Sequence, residues 1–118
     1  MGEAGYKKLI VWQKAHTLAK VVYLETRNFP KDEIFGITSQ IRRAALSVPT
    51  NIVEGYSRNA DRQLRQFLVI ALSSLAETEY LLDFTQEIGY LNEGSHKKLQ
   101  GLRQEVGNLL WKFYLSFN

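Results

Sequence analysis

No cysteine occurs anywhere in the chain. A disulfide framework, a thiolate metal site and a cysteine nucleophile are therefore excluded, and a reducing, cytoplasmic setting is the expectation. Long apolar runs are missing as well. Charges interrupt every segment long enough to span a bilayer, and the opening "MGEAGYKKLIVWQKA" has no apolar stretch of signal-peptide type, so no membrane association is predicted. Proline occurs only twice, at Pro30 and Pro49, which leaves long stretches free to be helical. There is no Gly-rich phosphate loop, no Gly-x-Ser-x-Gly elbow and no recognisable pairing of serine with histidine. The two histidines, His16 and His96, fall in different segments without the Glu-x-x-His spacing of di-iron bundles. No catalytic residue, metal, cofactor or small-molecule substrate is implied.

Neither sign of charge dominates: 15 basic against 12 acidic side chains give a net charge of +3. The distribution is uneven, however, because residues 1 to 65 carry 11 basic and 6 acidic side chains, and the remainder 4 and 6. A basic half suits an anionic partner, nucleic acid being the usual one. With 118 residues, 45% hydrophobic and 23% charged, the chain has the composition and length of one folded domain.

Four segments carry a hydrophobic period near 3.6, and strand alternation is nowhere sustained. The first helix is predicted from about 9 to 27, with Trp12, Ala15, Ala19, Val22, Tyr23 and Thr26 on one face. "NFPKDE" ends it, and the second helix is predicted from about 32 to 56, with Asp32 and Glu33 in its positive first turn. Ser57 or Asn59 is expected to cap a third helix over 60–88, stopped by Gly89. Asn92 or Ser95 is expected to cap a fourth over 93–117, on whose core stripe Trp111 also falls. Four long helices with short connections predict a single all-α domain, an antiparallel up-down-up-down four-helix bundle.

The second helix has more than one apolar face. Ile34, Ile37, Ile41, Ala44, Ala45, Val48 and Ile52 form the core stripe, while Phe35, Leu46, Pro49 and Val53 fall together roughly a third of a turn away. A helix at the corner of a monomeric bundle needs one such face, so the second predicts burial against another copy of the chain, and the four residues are the candidate oligomer interface. "FLVIALSSLA" at 67–76 points the same way, being uncharged and apolar beyond its core face. Pro49 removes a donor and crowds the carbonyl of Ala45, which predicts a bend. Asn51 and Glu54 lie beside it as structural polar residues, Asn51 being placed to bond the carbonyl that the proline leaves free. Glu54 as a general base would need a neighbouring nucleophile or metal that the chain does not supply.

"VWQKAHTLAKVVYLETRNFP", "QIRRAALSVPTNIVEGYSR" and "FLVIALSSLAETEYLLDFTQEIGYL" resemble, in order and spacing, the small four-helix-bundle proteins encoded in intervening sequences of bacterial 23S ribosomal RNA genes. The most diagnostic stretch spans Val48, Pro49, Thr50, Asn51, Ile52, Val53, Glu54 and Gly55, where the family carries Ile-Pro-x-Asn-Ile-Ala-Glu-Gly. Val53 replaces the usual alanine, and Ser73 with Ser74 replaces a usual Gly-Ser, departures that bear on how closely helices pack there. The resemblance implies a ring-like homopentamer. It also implies nucleic-acid association, because the family is similar to the accessory proteins of diversity-generating retroelements, which bind nucleic acid and a reverse transcriptase. No enzymatic activity is implied.

For a nucleic-acid partner, RNA or DNA, the candidate contacts are Arg42, Arg43, Arg58, Arg62 and Arg65, repeated by symmetry in an oligomer. Lys7, Lys8, Lys97 and Lys98 are secondary candidates. Pairing opposes this role: Asp61 with Arg65 and Glu54 with Arg58, each at i, i+4, would neutralise part of the patch. The alternative function is an oligomeric protein-interaction scaffold that binds no nucleic acid and leaves the Phe35, Leu46 and Val53 face partly open.

Overall fold

A computed structural model describes residues 5–117. It contains α1 (Ile10–Glu25), α2 (Ile37–Ser57), α3 (Asp61–Glu87) and α4 (Glu93–Leu115), with short 3₁₀ turns at Gly5–Lys8 and Lys31–Glu33. A 27-residue helix rising 1.5 Å per residue is about 40 Å long, and α3 accordingly sets the 43 Å long axis of a body 25 by 20 Å across. Each helix packs on its neighbours in the chain, and α1 also packs on α4. Among the described residues α1 makes no close backbone approach to α3, nor α2 to α4. The result is an all-α arrangement of four helices around one core.

That core is built from the predicted stripes. Ala15, Val22, Ile41, Ile52, Leu68 and Leu82 are all fully buried or nearly so. Pairings between helices fix their mutual placement. Ser47 meets Ser74 (Oγ to Oγ, 2.8 Å), and Gln40 reaches Glu77 at 3.5 Å, between α2 and α3. Arg103 reaches Glu79 at 3.5 Å between α3 and α4, and Lys14 meets Glu105 at 3.3 Å between α1 and α4. Ser95 Oγ also donates to Glu25, and Lys98 lies 3.7 Å from the same carboxylate.

The start of α2 differs from expectation. Residues 31–33 form a 3₁₀ turn, Gly36 sits outside helical space at φ −111°, ψ −119°, and the helix begins only at Ile37. Glu33 belongs to the turn, where its carboxylate accepts from the Tyr90 hydroxyl at 2.8 Å and faces the Ile37 amide at 3.5 Å. The Glu33 carboxylate, through that hydrogen bond, raises the Tyr90 phenol above its ordinary value. As a result Ile34 is exposed rather than core, and Phe35 is 96% exposed.

The helix ends are resolved residue by residue. Ala60 stands at the N-cap of α3 with no side-chain cap, so neither Ser57 nor Asn59 has that role. Asn59 instead adopts φ +56°, a left-handed conformation that asparagine tolerates and a tight α2–α3 turn requires. Gly89 ends α3 at φ +88°, and Asn92 caps α4 by accepting from the Ser95 amide at 2.7 Å.

The helix α2 runs unbroken through Pro49, which is itself buried within the chain and so adds nothing to an exposed interface. Asn51 does not bond the Ala45 carbonyl. Its Nδ2 donates to the Ser47 carbonyl at 2.7 Å and to Ser47 Oγ at 2.9 Å, and Ser47 in turn meets Ser74. The amide thus ends a polar chain that ties α2 to α3. Gly55 has a clear steric reason: a Cβ there would fall 2.8 Å from Leu64 Cδ1 and 2.9 Å from Phe67 Cβ. Trp111, expected on the core stripe, is 51% exposed, because Leu110 takes the buried position beside it.

Candidate nucleic-acid interface

Consecutive helical residues point about 100° apart, and the five candidate arginines separate accordingly. Arg42 turns toward α1. Its Nε donates to Thr26 Oγ1 at 2.8 Å, an Nη donates to the Tyr23 carbonyl at 3.4 Å, and the guanidinium lies 5.0 Å from the Tyr23 ring centroid. Thr26 Oγ1 in turn donates a hydrogen bond to the Val22 carbonyl at 2.8 Å. The side chain braces two helices and is committed to that contact.

Arg43 turns the other way, into a groove of about 710 Å³ between α2 and α3 that also includes Phe35, Gln40, Ser47 and Glu77. It is exposed, and makes no ion pair or hydrogen bond among the described residues. Arg58 pairs with Glu54 at 3.7 Å and covers the Phe67 ring at 5.0 Å. The expected i, i+4 bridge is therefore present there, between two half-exposed side chains whose attraction water screens.

Arg65 does not pair with Asp61. It is half-buried between α3 and α4, donates to the Tyr114 hydroxyl at 2.9 Å, and lies 4.6 Å from that ring's centroid. Its Nε is buried without an acceptor among the described residues. Arg62, one turn earlier, is exposed and unpaired among the described residues, and joins Arg65, Gln66, Val69 and Tyr114 around a shallow groove of about 400 Å³. Tyr114 in turn stacks on Trp111, with centroids 5.5 Å apart and planes at 25°. Arg65, Tyr114 and Trp111 thus form a continuous cationic and aromatic surface.

Sequence reasoning set Arg62 and Arg65 on one face of α3 but did not set Trp111 and Tyr114 beside them, since a 3.6-residue stripe does not separate Trp111 from its buried neighbour. The available signal was charge. No acidic residue lies from Arg62 to Ala76, nor from Val106 to Phe117.

Two apolar surfaces complete the exterior. A groove of about 400 Å³ between α1 and α2 is walled almost wholly by carbon, with His16, Ala19, Tyr23, Leu24 and Leu46 among its residues. On the outer face of α3, Ile70, Tyr80 and Phe84 are exposed. Of the predicted interface residues, Leu46 is exposed and Val53 half-buried, so the structure separates them from the wholly exposed Phe35 and from buried Pro49.

Other polar residues are engaged structurally. His96 Nε2 donates to Asp83 at 2.7 Å, a contact that, with desolvation opposing it and Gln100 assisting at 2.9 Å, holds the Asp83 carboxyl below the usual range. His16 stacks on Trp12 with centroids 4.7 Å apart. No group of three or more potential metal ligands occurs among the described residues, and no helix among them is long and apolar enough to cross a membrane.

The fold recurs in a crystal structure of a protein of unknown function from the S23 ribosomal protein family of Bacteroides thetaiotaomicron. The two share 24% identity at a TM-score of 0.80, covering 89% of this chain and 98% of that one. No relative was found among curated proteins. The model of the 23S rRNA-intervening sequence protein family matches residues 7–112. The chain, with its proline-centred α2 and its four-helix body, belongs to that family.

Proposed function

We propose that the protein is a non-enzymatic, oligomeric accessory protein that associates with nucleic acid through exposed arginines. The observation that carries this reading is Arg62. It is exposed in the first turn of α3 and, although Asp61 precedes it, makes no ion pair among the described residues, so its charge is available to a phosphate. Arg43 is available in the same sense. Arg42, by contrast, serves the fold.

The protomer is read as an antiparallel up-down-up-down bundle. Ser47 with Ser74, Gln40 with Glu77, and Gly55 against Leu64 are contacts in which α2 numbering falls as α3 numbering rises. Self-association is supported by two different apolar surfaces, the α1–α2 groove and the outer face of α3. Unlike surfaces mate head to tail, and closure of such contacts gives a ring. The family resemblance puts the count at five. A ring repeats each arginine by symmetry, so individually weak phosphate contacts sum to a useful affinity. Phe35, fully exposed, favours a second reading in which the same oligomer is a scaffold for a protein partner.

Retention of labelled RNA and duplex DNA by the purified oligomer across a salt series tests the proposal. Phosphate contacts require that the logarithm of affinity fall linearly with the logarithm of salt concentration. Arg62→Glu and Arg43→Glu should each weaken retention and flatten that slope while leaving the mass in solution unchanged. No retention of either nucleic acid at low salt would reject the reading in favour of the scaffold.

A further inference from the structure

We infer that the surface formed by Trp111, Tyr114, Arg65 and Arg62 is a stacking platform for unpaired nucleobases, so that the ligand is single-stranded nucleic acid rather than a duplex. The inference rests on the nucleic-acid reading above and narrows it. Three observations converge on this surface.

The first is an exposed indole. Trp111 is 51% exposed while Leu110 beside it is fully buried, so it is a large apolar ring that folding leaves in water. The second is its neighbours. Tyr114 lies 5.5 Å away with its plane only 25° from that of the indole, and the Arg65 guanidinium lies 4.6 Å from the Tyr114 ring, so planar groups are already layered at this edge. The third is charge. Residues 62–76 of α3 and 106–115 of α4 carry Arg62, Arg65 and Lys112 and no carboxylate, Asp61 and Glu105 standing at the edges of these stretches. Lys112 lies on the α1 side of α4, so the platform's own cations are the two arginines.

Those features match one class of ligand. An aromatic face accepts any base by stacking, and an adjacent guanidinium takes the phosphate that follows it. In a duplex the base faces are occupied by their neighbours in the stack, leaving the indole nothing to contact. A duplex would therefore use Arg62 and leave Trp111 idle. Among the described residues the Tyr114 hydroxyl is the only hydrogen-bond acceptor for Arg65, which leaves other donors for a phosphate oxygen.

The test uses the chain's own fluorescence. Trp12 and Trp111 are the two tryptophans, and Trp12→Phe leaves Trp111 as sole reporter. Titration with a 20-nucleotide oligothymidylate should quench this emission to saturation, whereas a 20-base-pair duplex should leave it nearly unchanged. Trp111→Leu should weaken single-strand binding about tenfold, the order expected for loss of one base–aromatic stack, and Trp111→Phe should retain most of it. Arg62→Glu should weaken both ligands. Single strands that bind without quenching, and bind Trp111→Leu as tightly as the parent, would overturn the platform while leaving the nucleic-acid reading standing. Loss of oligomer mass in Trp111→Leu would also overturn it, marking this face as a contact between copies. Failure of every nucleic acid to bind would remove both.

Discussion

Replacing Gly55 by alanine should destabilise the protein, although the same replacement inside most helices stabilises. Two opposing effects set the magnitude. Alanine exceeds glycine in helix propensity by about 0.8–1.0 kcal/mol. Against this, the new Cβ would lie 2.8 Å from Leu64 Cδ1, 2.9 Å from Phe67 Cβ and 3.3 Å from the Leu64 carbonyl oxygen. Leu64 can rotate its methyl aside, but Phe67 Cβ is fixed to the backbone, so α3 itself must retreat by about 0.5 Å to restore ordinary contact. Forcing a methylene into a packed site costs about 1–3 kcal/mol. The net is a loss of about 1 kcal/mol and at most about 2, or about 4 °C in Tm for each kcal/mol in a domain of this size.

Gly101 supplies the control. It lies inside α4 with nothing within 4 Å of the point a Cβ would occupy, so Gly101→Ala should gain up to about 1 kcal/mol. Thermal melts of both variants and the parent, at one protein concentration because self-association shifts Tm, should therefore move in opposite directions. A Gly55→Ala variant melting at or above the parent, with Gly101→Ala raised as expected, would refute the close approach of α2 and α3 at this glycine.

Asn92→Ala removes the side-chain cap of α4 and should cost about 1 kcal/mol, with Asn92→Asp restoring it, both read from urea midpoints. Asp83→Asn should lower Tm at pH 7, and the difference from the parent should vanish in acid. A carboxyl held below its ordinary pKa by the His96 hydrogen bond contributes stability above about pH 4 and loses it as pH falls through the lower, folded-state value; an unchanged difference at pH 3 would contradict this. Leu46→Asp places a charge in the apolar α1–α2 groove and should lower the mass measured by light scattering, whereas an unchanged mass would remove that groove from the interface.

Much of this molecule was legible in the sequence, for identifiable reasons. Buried residues such as Ile41, Ala44, Ala45, Val48 and Ile52 on α2 recur on a 3.6-residue period, which any helix long enough to repeat it several times displays. The start of α2 was not legible. Asp32 and Glu33 satisfy the rule for a helix N-terminus, yet the outcome depends on Tyr90, which bonds Glu33 across 57 positions of sequence, and on the conformation of Gly36. The arginines show the same division. Their charge and spacing were plain, but whether each is free depends on partners in other helices: Thr26 for Arg42, Tyr114 for Arg65. Trp111 was misplaced because periodicity locates a stripe to within about a residue, and the residue beside it, Leu110, fills the core.

The contact between α1 and α4 has a temporal side. Glu25 meets Ser95 across 70 residues of sequence, and α4 is the last helix to be synthesised. Translation proceeds at about 5–20 residues per second, so for a second or more α1 to α3 exist without the element that covers them. During that interval Leu18 and Leu68, fully buried in the finished bundle, lack part of their cover. Nascent copies on neighbouring ribosomes of one messenger would hold such surfaces close together. The core is therefore complete only once α4 has docked, and a chain truncated before Glu93 is expected to aggregate rather than to fold.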